Sequence, residues 1–414
     1  MMTTNKNKPV HVAMDQFTLA NGELLVGGLP ITKLAEQVGQ TPFYAYDRQL
    51  ISDRVTYLRN NLPTDIHLHY AIKANPMSAV VQHLAGLVDG FDLASVGEMK
   101  VALDTGMPSN LISFAGPGKT DHELSQAISA GIIINMESAG EMRRIAHLAN
   151  VLGIKPKVAI RVNPDYELKA SGMKMGGGAK QFGIDAEIVP AVLKELKELN
   201  LDFNGFHIFW GSQNLSEEAI IEAHVKTLNL ALQLNEHVPS PIRLLNIGGG
   251  LGIPYFPGEK RLKLDAIREN LERLLPNLIK NMPGAEIATE LGRFIVGEAG
   301  VYICRIIDKK ISRGETFLIT DGGLHHHLSA SGNFGQIIRK NYPVGIANKM
   351  DSKTTEIVNI VGPLCTPLDI LANKMELPVA EVGDLVVVYQ SGAYGLSASP
   401  QAFLSHPQSV EILV

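Results

Sequence analysis

Residues 67–74 read His67-Leu68-His69-Tyr70-Ala71-Ile72-Lys73-Ala74, an apolar run that closes on a lysine and is followed by Asn75 and Pro76. The run has the length of a buried strand, and the Asn-Pro pair ends it. Seven similar runs follow before residue 295: Gly90 to Ser95, Leu111 to Gly116, Ile132 to Glu137, Lys157 to Pro164, Asp202 to Phe209, Arg243 to Gly250 and Glu286 to Gly292. Between them lie stretches of helix-forming composition, such as Ala191 to Asn200 and Leu264 to Leu275. Eight alternating strand and helix units predict an α/β fold, a (β/α)8 TIM barrel over residues 46–300. An open parallel sheet with a few extra strands is compatible with the same alternation.

Beyond residue 300 the pattern changes. Val301 to Lys309, Thr316 to Thr320, Thr355 to Val361 and Asp384 to Gln390 read as strands separated by Gly, Pro and Asn turns. A mainly β second domain is therefore expected over 301–414. The alternating segment from Val12 to Tyr46 fits it too, so 12–45 is grouped with it. Ser171 to Lys180, with three consecutive glycines, predicts an exposed loop.

At 414 residues and 45% hydrophobic content, the chain can bury two cores. A net charge of -5, a pI near 6.2 and the lack of any Lys/Arg-rich block argue against nucleic acid as a partner. A small molecule or another protein is expected instead. Cys304 and Cys365 are the only cysteines, which suits a reducing compartment. No apolar run reaches membrane-spanning length and the first residues are polar, so a cytoplasmic enzyme without membrane partners is expected.

In such a barrel, chemistry gathers at the carboxyl ends of the strands. Those ends are rich in polar groups here: Lys73; Asp92 and Glu98; Glu137; Arg161 and Asn163; His207 with Gly211-Ser212-Gln213 behind it; Gly248-Gly249-Gly250; and Glu290, Gly292 and Arg293. A lysine closing an apolar strand is partly desolvated, which makes it a better imine-forming nucleophile, although such a lysine can also simply snorkel to solvent. The glycine triplet can bring backbone N–H groups close to a phosphate, or make a tight turn. His207 can lie flat against a ring or be a structural core histidine, and Glu290 can serve a site or pair with an arginine.

The order and wording of these motifs go further. Tyr70-Ala71-Ile72-Lys73-Ala74-Asn75, His207 with Gly211-Ser212-Gln213, Gly248-Gly249-Gly250, Glu290-Leu291-Gly292-Arg293, Gly362-Pro363-Leu364-Cys365 and Gly392-Ala393-Tyr394-Gly395 resemble the fold-type III pyridoxal-phosphate decarboxylases, which include the ornithine, diaminopimelate and arginine enzymes. The resemblance spans nearly the whole chain and implies an alanine-racemase-like barrel and the cofactor pyridoxal 5'-phosphate. It implies that Lys73 carries the cofactor as a Schiff base and that His207 stacks on its ring. Ser212, Gly248, Gly249, Gly250 and Gly292, with neighbouring Arg293, would surround the phosphate, and the Tyr394 hydroxyl would complete the cradle. Glu290 would pair with the pyridinium nitrogen. Cys365 would donate a proton into a neighbouring subunit's site, implying a homodimer with shared sites. Racemases that resemble this barrel carry an arginine where Glu290 stands, so the glutamate favours decarboxylation.

One motif departs from the family pattern. Diaminopimelate decarboxylases follow the cysteine with an acid that receives the substrate's distal ammonium, whereas here Thr366-Pro367-Leu368-Asp369 follows Cys365. Ornithine-type enzymes use a nearby acid, and Asp369 could act so only in a rearranged loop. Arg293, Arg339 and Tyr342 resemble groups that bind a distal carboxylate, with Thr366 beside them. His325-His326-His327, Ser331-Gly332-Asn333-Phe334-Gly335 and the Cys365 segment resemble a branch associated with exosortase and natural-product systems. Some members of that branch decarboxylate an amino acid tethered to an acyl carrier protein.

The expected substrate is therefore an α-amino acid, or a carrier-tethered amino acyl group, with an acidic or acylated distal end. The alternatives are a diaminopimelate decarboxylase of lysine biosynthesis, an amino acid racemase, or a cofactor-carrier protein built on the barrel alone. No metal is expected, because consecutive histidines on a strand point to opposite faces.

Overall fold

The computed structural model describes residues 9–166, 173–174 and 176–414. Ser171, Gly172 and Met175 of the glycine-rich stretch lie outside the described residues. Gly176 and Gly177 are buried, because Asn163 grips this stretch: its Oδ1 accepts from the Gly177 N–H at 3.0 Å and its Nδ2 donates to the Gly178 carbonyl at 2.9 Å.

The chain forms two compact units: Ser52–Gly252 with Leu262–Ile295, and Met1–Ile51 with Ile253–Arg261 and Val296–Val414. The first is a closed parallel barrel of eight strands. They are β1 (Ile66–Ala71), β2 (Gly90–Leu93), β3 (Ile112–Phe114), β4 (Ile133–Met136), β5 (Lys157–Asn163), β6 (Asp202–Ile208), β7 (Leu244–Gly249) and β8 (Glu286–Leu291). Each pairs with its neighbour in chain order, and β8 closes on β1. A parallel sheet needs a crossover between strands, and helices such as Asp121–Ala130 and Glu217–Asn235 supply it. The first of these starts on a reciprocal Thr120/Glu123 capping box.

Side chains alternate along each strand, so every second residue points into the barrel. Ile133, Ala159, Leu244 and Ala288 form an apolar floor. Above it the interior is polar. Asp92 accepts from Ser113 Oγ at 2.5 Å and Asn246 Nδ2 at 3.4 Å, and Ser113 accepts from Asn135 Nδ2 at 2.9 Å. Buried polar groups are kept in a core when they bond one another, as Asp92 Oδ1, Ser113, Asn135 and Asn246 do here.

The β-rich unit is built on a sheet ordered Val344–Ile346, Leu385–Val388, Gly300–Ser312, Glu315–Thr320, Thr355–Val361 and Ile370–Pro378. Phe43–Tyr46 pairs antiparallel with Gly300–Ser312, and Val410–Leu413 lies parallel beside it, while Leu19–Ala20, Glu23–Val26 and Leu29–Pro30 form a separate three-stranded sheet. The core of the unit includes Leu24, Val26, Phe43, Val301, Ile303 and Val387. Ile253–Arg261, which the sequence reading included in the barrel, groups with this unit. Gln390 donates to the Pro254 carbonyl at 2.9 Å, Tyr255 packs on Tyr342 with ring centroids 4.7 Å apart, and Arg261 pairs with Asp15 at 2.8 Å and Glu298 at 3.4 Å.

Candidate active site

Lys73 sits in a single 3-10 turn, Ile72–Ala74, directly after β1. The strand ends there because the Asn75 side chain accepts from the Met77 N–H at 3.1 Å, bending the chain before the next helix. Glu290 lies near the carboxyl end of β8, opposite His69 of β1. Its Oε1 lies 3.0 Å from Lys73 Nζ and its Oε2 lies 3.1 Å from His207 Nε2 on β6. One buried carboxylate is therefore held between an amine and an imidazole. Burial alone would raise the Glu290 pKa, but the Lys73 ammonium and the His207 hydrogen bond outweigh it and hold the carboxyl well below its usual range. Lys73 is less desolvated than its strand suggested: its side chain is 38% exposed, with the ammonium 5.4 Å from the centre of the Phe209 ring.

The glycines set the shape of this rim. A Cβ on Gly249 would lie 1.8 Å from the Glu290 carbonyl oxygen, and one on Gly250 would lie 2.2 Å from that of Gly211. Gly248 and Gly250 also adopt φ values of 75° and 79°, where glycine is favoured. The pairing of β7 with β8 slips between Asn246 and Gly249, so the triplet bulges out of the barrel wall. Asn214 fixes this bulge against the Gly211-Ser212 strand by donating its N–H to the Gly250 carbonyl at 2.9 Å. At the end of β8, Gly292 lets the chain approach the Lys73 turn, since a Cβ there would lie 2.8 Å from that of Ala74. Arg293 opens the short helix that follows.

These barrel residues fit pyridoxal phosphate. They combine a primary amine, a buried anionic carboxylate, an imidazole whose Nδ1 has no hydrogen-bond partner among the described residues, and a glycine bulge beside a serine.

Two further groups of side chains lie in the barrel. Around Glu137, Arg161 and the backbone N–H groups of Gly116 and Gly183 all bind at 2.7 Å, and Lys119 pairs with Glu141 at 2.7 Å. His69 Nδ1 stands 3.4 Å from Asp92 Oδ2; burial would lower the His69 pKa, but Asp92 outweighs this and raises it. The sequence reading named Asp92, Glu137 and Arg161 but missed Lys119, Glu141 and His69. The Ser138-x-x-Glu141 capping pattern was the available signal for Glu141.

The remaining expected residues lie in the β-rich unit. Cys365 is exposed, and Thr366 is half-buried beside it. Tyr394 is half-buried with φ 52°, a strained value for a tyrosine. Arg339 and Tyr342, expected at a substrate's distal carboxylate, are bound up in the protein itself. Arg339 donates to the carbonyls of Ser331 at 3.0 Å and Ile370 at 2.7 Å and to Asn341 Oδ1 at 3.2 Å, which ties it to its own loop. Tyr342 is buried against Tyr255, Phe256 and His327. Asp369 turns inward, its carboxylate accepting from the N–H groups of Leu324 at 2.6 Å and Leu364 at 2.8 Å. His325-His326-His327 lies in a buried turn rather than a strand, and no group suited to a metal ion occurs among the described residues.

Comparison with known proteins agrees with this geometry. Residues 48–297 match the pyridoxal-binding domain of the pyridoxal-dependent decarboxylases. The L-glutamyl-[BtrI acyl-carrier protein] decarboxylase of Niallia circulans is 38% identical over 92% of this chain and 90% of its own length. The diaminopimelate decarboxylase of Aquifex aeolicus is 33% identical over 95% and 91%. The crystal structure of a diaminopimelate decarboxylase from M. jannaschii superimposes with a TM-score of 0.87 at 26% identity, over 96% of this chain and 92% of that one. No helix among the described residues is long and apolar enough to cross a membrane. With a family match across the barrel and a relative 38% identical over most of its length, the chain belongs to the pyridoxal-dependent decarboxylases and is a pyridoxal-phosphate-dependent carboxy-lyase acting on an amino-acid-like substrate.

Proposed function

We propose that this decarboxylase acts on an amino acyl group whose distal end is acylated, presented as a thioester on an acyl carrier protein. The observation that carries the reading is the orientation of Asp369. A site for a distal ammonium needs a carboxylate, because a buried cation left without its partner costs roughly 3–5 kcal/mol. Thr366, Pro367 and Leu368 provide none, and both Asp369 oxygens are taken by backbone amides. The relative at 38% identity is named for a carrier-bound glutamyl substrate, which supports the same reading.

In this proposal Lys73 would hold the cofactor, His207 would lie against its ring, and Ser212, Gly248, Gly249, Gly250 and Gly292 would receive its phosphate, with Arg293 and Tyr394 contributing. The bound cofactor supplies an electron sink for the pair released as carbon dioxide leaves. Glu290, kept anionic, holds a proton on the ring nitrogen and so keeps that sink effective. Cys365 of a second copy donates the proton that replaces the carboxyl group at Cα, making the working unit a homodimer, which we place in the cytoplasm.

The test compares kcat/KM for carrier-bound glutamate, meso-diaminopimelate, ornithine and lysine by carbon dioxide release. A preference of about tenfold or more for the carrier-bound substrate is expected. A preference for meso-diaminopimelate would return the chain to the lysine-forming decarboxylases. Loss of optical activity without carbon dioxide release would identify a racemase.

A further inference from the structure

The glycine bulge at the barrel rim is gripped by two side chains of the barrel wall. β7 and β8 pair Leu244 with Glu286, Leu245 with Ile287 and Asn246 with Ala288, then resume with Gly249 opposite Glu290, so Gly248 falls outside the ladder. Buried backbone groups that leave a ladder need other partners. Gly248 finds them in side chains: its N–H donates to Asn246 Oδ1 at 2.8 Å, and its carbonyl accepts from Thr289 Oγ1 at 2.8 Å. Asn246 lies level with Ala288 of the barrel floor and points inward, whereas Thr289, the next residue along β8, points outward. On the side of β6 the fit is already close, since a Cβ on Gly248 would lie 2.8 Å from the Ile208 carbonyl oxygen.

Asn246 is itself held from its other end. Its Nδ2 donates to Asp92 Oδ1 at 3.4 Å. The same oxygen accepts from Ser113 Oγ, whose proton is directed there while Ser113 accepts from Asn135 Nδ2 at 2.9 Å. Asp92, Ser113, Asn135, Asn246 and Thr289 are all buried. An amide suits this place because it carries an acceptor for the Gly248 N–H and a donor for the carboxylate. The opposite orientation would set Nδ2 against an N–H and Oδ1 against Asp92, so the two partners fix which way the side chain points.

We infer that Asn246 and Thr289 are positioning residues for the cofactor's phosphate: by gripping Gly248 from the inner and outer faces of the barrel wall, they keep the glycine bulge in the shape that receives it. The inference rests on the phosphate placement proposed above and adds what fixes that shape. Both residues act through the backbone of Gly248 and not on the reacting atoms. A bulge held in advance spends no binding energy on ordering, so loosening it weakens the grip on the phosphate.

The experiment titrates the full-length chain, freed of cofactor, with pyridoxal phosphate and with pyridoxal, which lacks the phosphate. Kd is read from the visible absorbance of the bound molecule. Asn246→Leu and Thr289→Val should each weaken pyridoxal phosphate about tenfold or more and leave the Kd of pyridoxal within about twofold. Thr289→Val changes shape least and decides the matter alone should Asn246→Leu not fold. Asn246→Asp keeps the acceptor for Gly248 but sets a second carboxylate against Asp92, so it should weaken pyridoxal phosphate too. Adding Asp92→Asn exchanges donor and acceptor within the pair, and this double variant should recover to within about threefold of the wild type. Equal losses for both ligands, no loss in Thr289→Val, or no recovery in the double variant would overturn the assignment. A wild type that binds both ligands equally, with Ser212→Ala unchanged for either, would remove the phosphate placement first, and this inference with it.

Discussion

Two buried charge clusters sit at the rim of the same barrel and have different uses. Around Glu137 the charges are satisfied within the protein: Arg161 and the amides of Gly116 and Gly183 bind its carboxylate, and Glu141 accepts from the Glu137 N–H at 2.8 Å while pairing with Lys119. Around Glu290 the network is incomplete. Lys73 is 38% exposed, and the Nδ1 of buried His207 has no hydrogen-bond partner among the described residues. Burial alone therefore does not mark function. What marks it is a buried charge whose partners still have bonding capacity to offer a ligand.

The largest effect should come from Lys73. Borohydride reduction is expected to fix the cofactor covalently to the wild type and not to Lys73→Ala, with turnover falling about a thousandfold or more. Equal labelling of the variant, measured by mass spectrometry, would break the comparison at its first member. Glu290→Gln removes the anion but keeps the shape, and about a hundredfold loss in kcat is expected, with an altered visible spectrum of the bound cofactor. Because the Glu290 pKa is depressed on folding, its stabilising contribution is complete above the ordinary carboxylate pKa and is lost as pH falls toward its lower folded value. The acid limb of the wild-type stability curve should therefore flatten in Glu290→Gln.

The barrel site was far more legible than the loops of the β-rich unit. Lys73, His207, the glycine triplet and Glu290 sit on or beside strands, whose alternation fixes which way a side chain points. The eight runs lie within a few residues of the eight observed strands. Arg339 and Asp369 sit in loops, where the sequence names the charge but not its hydrogen-bond partner, and both turn toward backbone. Ile370–Pro378 was not recognised as a strand because Asn373, Lys374 and Glu376 interrupt its alternation and Lys374 adopts φ 51°. His69 escaped because one strand does not reveal that Asp92 stands beside it on the next.

The Glu137 cluster sharpens the comparison through stability. Glu137→Ala leaves Arg161 buried without its partner and releases the Gly116 and Gly183 amides, so a loss of roughly 3–5 kcal/mol is expected. Glu290→Gln should lose less stability and more turnover. Denaturant melts and kcat per folded molecule, measured on both variants, decide this. If Glu137→Ala were as inactive as Glu290→Gln while staying as stable as the wild type, the division between structural and functional charge would fail.

The smallest effect at neutral pH concerns His224, on the helix Glu217–Asn235 and away from both charge clusters. Its ring is buried and its Nδ1 has no hydrogen-bond partner among the described residues, so burial alone pushes its pKa down to about 4. An unfolded histidine titrates near 6.5. Between those values the unfolded chain holds the proton and the folded chain does not, so stability falls as pH drops through that window. At one pKa unit per 1.36 kcal/mol, the loss approaches about 3 kcal/mol near pH 4 and is negligible above pH 7. His224→Leu keeps the packing and removes the proton site. Its melting temperature should match the wild type within a few degrees at pH 8 and exceed it progressively below pH 6. Parallel curves for the two proteins across that range would mean that His224 is already protonated in the fold, or that another group sets the acid limit.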